Sequence, residues 1–174
     1  MHIIRNMSLA LTVIWVAGCA SFTEEAGPNL PRTAKWGVVP MVNYSQTPQA
    51  GERSEQILLS ALSSRGLHPR VYPASPGGEQ ALMDDSQRLA GALDWARAQK
   101  LDYVISGSVE EWQYKNGLDG EPAVGLSLRV LDARNGHVLW SKSGARAGWS
   151  RESLAATAQK VLDKLVGALG FEAP

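Results

Sequence analysis

Cysteine occurs once in these 174 residues, at Cys19, so no disulfide can form within the chain. Whatever domain follows must hold itself together by burial alone. Phenylalanine is scarce, with two, against six tryptophans. Neither sign of charge is in excess, since 17 Lys+Arg meet 17 Asp+Glu, and net charge therefore attracts no nucleic acid. Of the three histidines, His68 and His137 lack a second ligand at metal spacing and read as surface or strand-edge residues. Ser106-Gly107-Ser108 is not a nucleophile elbow. Neither a phosphate loop nor a dinucleotide fingerprint is present. Asp84-Asp85 stands before a helical pattern and reads as cap and dipole partners. The sequence thus offers no catalytic residue, metal or cofactor, and the expectation is a protein that is not an enzyme.

What the chain does have begins at the start. His2 and Arg5 precede an apolar run from Met7 to Val16, which ends in Val16-Ala17-Gly18-Cys19. A permanent bilayer helix needs about 20 apolar residues; this shorter run with small residues after it reads as a secretory signal. The small-small-Cys ending resembles a lipobox, with Val16 where leucine is commoner. That resemblance implies cleavage before Cys19, a diacylglyceryl thioether on its sulfur and an acyl chain on its nitrogen. Ala20 resembles the sorting signal for the outer membrane of a Gram-negative cell. The expected organisation is a signal peptide at 1–18, an acylated cysteine and tether at 19–34, and a single periplasmic domain at 35–174. Loss of Arg5 and Trp15 with the leader leaves a 156-residue chain near charge −1 with five tryptophans. The polar stretch 20–34, with Gly27, Pro28 and Pro31, reads as a tether that reaches at most about 50 Å.

The rest alternates helical and strand patterns. Trp36-Gly37-Val38-Val39-Pro40-Met41 reads as a buried strand ending at its proline. Thr47-Pro48 reads as the cap and first position of a helix, ended by Gly66 in a left-handed conformation. Val71-Tyr72 is a short strand. A second helix follows Asp85 or Ser86, with Leu89, Leu93 and Ala96 inward. A strand runs from Tyr103 to about Gln113. Val124, Leu126, Leu128 and Val130 alternate as one face of the next strand, and Asn135-Gly136 turns the chain back into His137–Ser141. Ser150 reads as the cap of a last helix, with Leu154, Ala158, Val161, Leu162, Leu165 and Leu169 on one stripe. The order β-α-β-α-β-β-β-α predicts an α+β fold: a mixed sheet of about five strands with helices packed on it.

Two features carry a functional hint. Glu110, Glu111, Asp119 and Glu121 face a single Lys115 around a hairpin tip, and read either as a solvated loop or as a negative patch. Trp149 reads either as a hydrophobic staple on Leu154 or as an aromatic at a membrane interface. Trp112 and Tyr114 are apolar candidates for contacts between subunits.

Trp36 through Arg53, with Leu139-Trp140-Ser141, Trp149 and the last helix, resembles the PelC family, lipoproteins of an exopolysaccharide export machinery. The hairpin from Asp132 to Trp140 is less specific, being shared with TolB N-terminal, LpoB-like and CsgG-like domains. The resemblance implies a non-enzymatic ring of twelve subunits on the periplasmic face of the outer membrane. It also implies a partner, a PelB-like β-barrel porin with helical repeats, and a cargo, the cationic Pel polysaccharide used in biofilm formation. An acidic face including Asp119 would guide the polymer, and Trp149 would meet the membrane. Two other readings stay open: a regulatory lipoprotein that activates a periplasmic cell-wall enzyme, and a generic envelope assembly lipoprotein. The first needs a long arm to cross the wall, and the tether is short. A CsgG-like pore would need long amphipathic segments, which are absent. A glycan hydrolase would need an acid/base pair, and none can be nominated.

Overall fold

The computed structural model describes residues 20–22, 27–73, 85–115, 120–149 and 151–172. Strands are β1 (Ala20–Phe22), β2 (Trp36–Val38), β3 (Val42–Asn43), β4 (Arg70–Val71), β5 (Tyr103–Tyr114), β6 (Pro122–Asp132) and β7 (Val138–Ala147). Helices are α1 (Ala50–Ser63), α2 (Asp85–Ala98) and α3 (Leu154–Gly167). The sheet order is β1-β7-β6-β5-β2-β4, with β3 pairing β5 beside β2. β2 lies parallel to β4 and β5, while β5, β6 and β7 form an antiparallel meander. The mixed α+β sheet of the sequence reading is therefore present, with seven strands instead of about five. The two added strands, β1 and β3, are three and two residues long. Neither is long enough to show an alternation.

Period two sorts the strand side chains onto two faces. Ile105, Val109, Trp112, Val124, Leu126, Leu128 and Val130 join Leu58 and Leu62 of α1 and Val161, Leu162 and Leu165 of α3 in the main core. Each large side chain buried there contributes about 1.5–3 kcal/mol. On the other face α2 covers only one end, where Ala92 and Ala96 pack on Val39, Val104, Leu131 and Ala133. The rest of that face carries Ser106, Ser108, Ser127 and Ser143, residue types that need no helix over them. Trp36 is buried against Tyr103 and Phe171, with ring centroids 4.9 and 5.7 Å away. Gly66 and Gly136 adopt the expected positive φ, +74° in each case.

Several boundaries differ from the sequence reading. Helix α1 starts at Ala50 behind Gln49, which sits at φ 60° and makes no side-chain cap. Thr47 does not cap it; its hydroxyl donates instead to the Trp112 carbonyl. A long-range bond has won over a local one. The last helix is capped by Ser153, whose hydroxyl accepts from the Ala156 amide; Ser150 lies outside the described residues. Strand β7 runs on to Ala147, well past Ser141. The stretch read as a tether is also partly built into the fold. β1 pairs antiparallel with β7, the Gly27 amide donates to the Ala168 carbonyl at 3.2 Å, and Leu30 is buried and bridges to Phe171. The prolines and polar residues masked two apolar anchors, Phe22 and Leu30.

Candidate functional site

The acidic residues do not form one hairpin-tip cluster. Glu110 and Glu111 lie in β5 at a bulge, where the pairing shifts between Val109↔Leu126 and Glu111↔Gly125. A bulge sets two residues of one strand against one of its partner. Here a side chain on Gly125 would sit between the Cβ atoms of Glu110 and Glu111, 3.6 and 3.5 Å away. Both glutamates therefore project from the same face, the one that α1 and α3 leave free. Glu110 Oε1 accepts from Ser108 Oγ at 2.6 Å and from Ser127 Oγ at 3.1 Å, and Ser127 is 2.9 Å from Ser143 Oγ. Glu111 accepts from Gln113 Nε2 at 3.0 Å. Glu110, Glu111, Ser127 and Ser143 line an open groove of about 570 Å³ together with Ser21 of β1. Carboxylates beside a ladder of hydroxyls suit a ligand that carries both cationic and hydroxyl groups. Arg129, next beyond Ser127 on the same face, tempers the negative charge at that end.

Glu121 stands apart, just before β6, four residues from Gly125 and so about 13 Å along the strand. Its carbonyl accepts from the Lys115 amide, and its side chain is exposed. Asp119 and Cys19 lie outside the described residues. Trp112 is a core residue, 3 % exposed, and offers nothing to a neighbouring subunit, whereas Tyr114 is 51 % exposed. His68 and His137 are both exposed and far apart in the topology, before β4 and at the start of β7. Among the described residues no group of His, Cys, Asp and Glu could hold a metal ion. Among the same residues no helix is long and apolar enough to cross a membrane.

Trp149 follows β7 and is 52 % exposed. A staple needs its apolar residue directly before the N-cap. With Ser153 as the cap that position belongs to Glu152, so the sequence pairing of Trp149 with Leu154 has the wrong spacing. The tryptophan sits on a short loop that is tied at both ends. The Gly148 amide donates to the Pro122 carbonyl at 2.7 Å, and the Glu152 amide donates to the Trp149 carbonyl at 2.8 Å. The Glu152 carboxylate lies 2.8 Å from Lys160 Nζ of α3 and 3.7 Å from Arg146 Nη2 of β7.

The hydrogen bond from Lys160 holds the Glu152 carboxyl below the ordinary carboxylate range; partial burial opposes this, and the charges of Lys160 and Arg146 add to it. A carboxyl depressed in the folded state contributes stability that is complete above its unfolded pKa, about 4.3. That stability is lost as pH falls through the folded value. Glu152→Gln should therefore melt below wild type at neutral pH, and the gap should close on acidification below about pH 4. A thermal melt series across pH reads this directly.

No family model and no curated protein sequence matches the chain. Solved structures do. Two structures of a PelC dodecamer from Paraburkholderia phytofirmans are 39% identical to it, cover 90% of this chain and 100% of theirs, and superpose with a TM-score of 0.72. Lipoprotein GNA1162 from Neisseria meningitidis has 22% identity, a TM-score of 0.56, and coverage of 77% of this chain and 96% of its own. At that identity it shares the fold alone.

Proposed function

The chain belongs to the PelC family, and from that premise we propose that it is a non-enzymatic, lipid-anchored ring subunit that guides a cationic exopolysaccharide toward an outer-membrane porin. Cys19 carries the lipid and the outer membrane's inner leaflet holds it. The domain sits on the periplasmic face and assembles with further copies, as the related protein does in its dodecamer. The polymer is rich in amino sugars, and the porin is a PelB-like barrel. The observation that carries the reading is the Glu110–Glu111 pair, set by the bulge on the part of the sheet face that α2 leaves uncovered. A lone pair of carboxylates is weak, because salt screens charges over about 8 Å. Repetition around a closed ring focuses the field at its mouth, as acidic rings do in cation pores.

The docking of Ala20–Phe22 on β7 and the ties at Gly27 and Leu30 also count against the reading as an activator of a cell-wall enzyme, since they leave little chain to cross the wall. The test of assembly is native mass spectrometry of the soluble domain together with the tethered protein on vesicles at high density. A closed homo-oligomer is expected; a monomer under both conditions would end the ring reading.

Trp149 is assigned to the membrane interface, where an amphipathic ring is favoured. Being half exposed, it adds little to folding. Trp149→Ala should shift stability by less than about 1 kcal/mol, well short of the 3–5 kcal/mol typical of a buried tryptophan, while polymer export falls. A larger loss of stability with export intact would return the residue to a structural role.

A further inference from the structure

We propose that β1 is a clamp that converts a flexible lipid tether into a rigid mount, with the edge of β7 as its receptor. The inference rests on the assignment of Cys19 as the lipid attachment site. β1 begins one residue after that cysteine, and its register on β7 is Ala20↔Arg146, Ser21↔Ala145 and Phe22↔Gly144. The receptor is shaped for its guest. Phe22 packs on the main core, its ring lies 3.8 Å from Lys164 Nζ of α3, and it occupies the space a side chain on Gly144 would fill. Any larger residue at Gly144 would displace the ring. Strand pairing, a filled slot and a cation over the ring act together on three residues.

The geometry changes what the anchor does. With β1 free, the next tie among the described residues is Gly27, and eight residues give the lipid a reach of about 28 Å. With β1 docked, a single peptide link of about 3.8 Å separates Cys19 from the sheet. Antiparallel register also decides which end of the sheet is held. Ala20 stands beside Arg146, and Ala147 pairs with Ala123 at the end where β6 begins. The lipid therefore leaves the domain at the end that carries Trp149, and the far end, with the turn at Asn135, points away from the bilayer. Ser21 meanwhile contributes one wall of the acidic groove, so the mount and the groove share a strand.

The test uses full-length acylated protein in vesicles. Asn135→Cys supplies a single free thiol for a donor dye, because the Cys19 sulfur is taken, and an acceptor lipid reports its height. Hydrogen exchange of residues 20–22 is measured on the same sample. The clamp predicts one narrow height and protected amides. Phe22→Ser, from the guest side, and Gly144→Ala, from the receptor side, should each broaden the height distribution by up to about 25 Å. Each should also speed exchange at 20–22 by about tenfold or more. Acylated wild type with freely exchanging residues 20–22, or heights unmoved by both variants, overturns the clamp alone. A mass that shows no acyl chains overturns the lipoprotein reading, and the clamp with it.

Discussion

Cys19→Ser should move the protein from the membrane fraction to the soluble periplasm almost completely. Each buried methylene contributes about 0.8 kcal/mol, yet one acyl chain alone binds with only about 10⁴ M⁻¹. Stable anchoring takes two chains or more, and the lipobox resemblance assigns three to Cys19. Removing all of them leaves at most the contact proposed for Trp149, and one half-exposed side chain is far too little to retain the protein. The domain itself should be unaffected. Its core lies between the sheet and the two helices α1 and α3, and the cysteine precedes the first strand. Metabolic labelling with a lipid precursor should mark wild type and not the variant, while both melt at the same temperature. Equal labelling of the two proteins would end the lipoprotein reading. Because ring assembly is favoured by high local concentration, the variant should also lose export out of proportion to any loss of abundance.

The parts of this structure that could be read from sequence are those that repeat. Val124, Leu126, Leu128 and Val130 alternate without a break, and the α3 stripe keeps a helical period over several turns; both elements are present, though α3 starts behind Ser153 and ends at Gly167, before Leu169. Asn135-Gly136 names its own turn. What stayed hidden depends on contacts between distant residues. Nothing near Thr47 reveals that its hydroxyl goes to Trp112. A three-residue strand such as β1 has no period, and only the exposed edge of β7 makes it one.

The bulge at Glu110 is the instructive case, because a signal existed. Ile105 and Val109 point into the core, but the next core residue is Trp112, three positions on instead of two. That slip, opposite Gly125, marks an extra residue in the strand. It turns a pair of glutamates that would have faced opposite sides into two neighbours on one face. The sequence reading grouped all four acidic residues by nearness along the chain. The structure instead separates Glu110 and Glu111 in the groove from Glu121 at the strand end.

That separation sharpens the last prediction, which concerns the function proposed for the acidic residues. Asp119→Asn with Glu121→Gln should change stability by less than about 0.5 kcal/mol; the exposed Glu121 charge contributes little to folding. Glu110→Gln with Glu111→Gln should cost slightly more, about 1 kcal/mol, because Glu110 Oε1 accepts from Ser108 and Ser127 and a neutral amide oxygen accepts more weakly than a carboxylate. Neither pair should disturb ring assembly. If the carboxylates guide a cationic polymer, each pair should cut secreted polysaccharide several-fold at matched protein level, and the four changes together should reduce it most. The defect should resemble high salt. Raising ionic strength from 0.15 to 1 M shortens the screening length from about 8 to about 3 Å, so wild type in high salt should bind deacetylated polymer as weakly as the variant does in low salt. A fully acetylated, neutral polymer should not distinguish the two proteins, because only the charge term has been removed. Normal secretion by the fourfold variant would sink the guidance hypothesis and leave a ring that supports the porin mechanically.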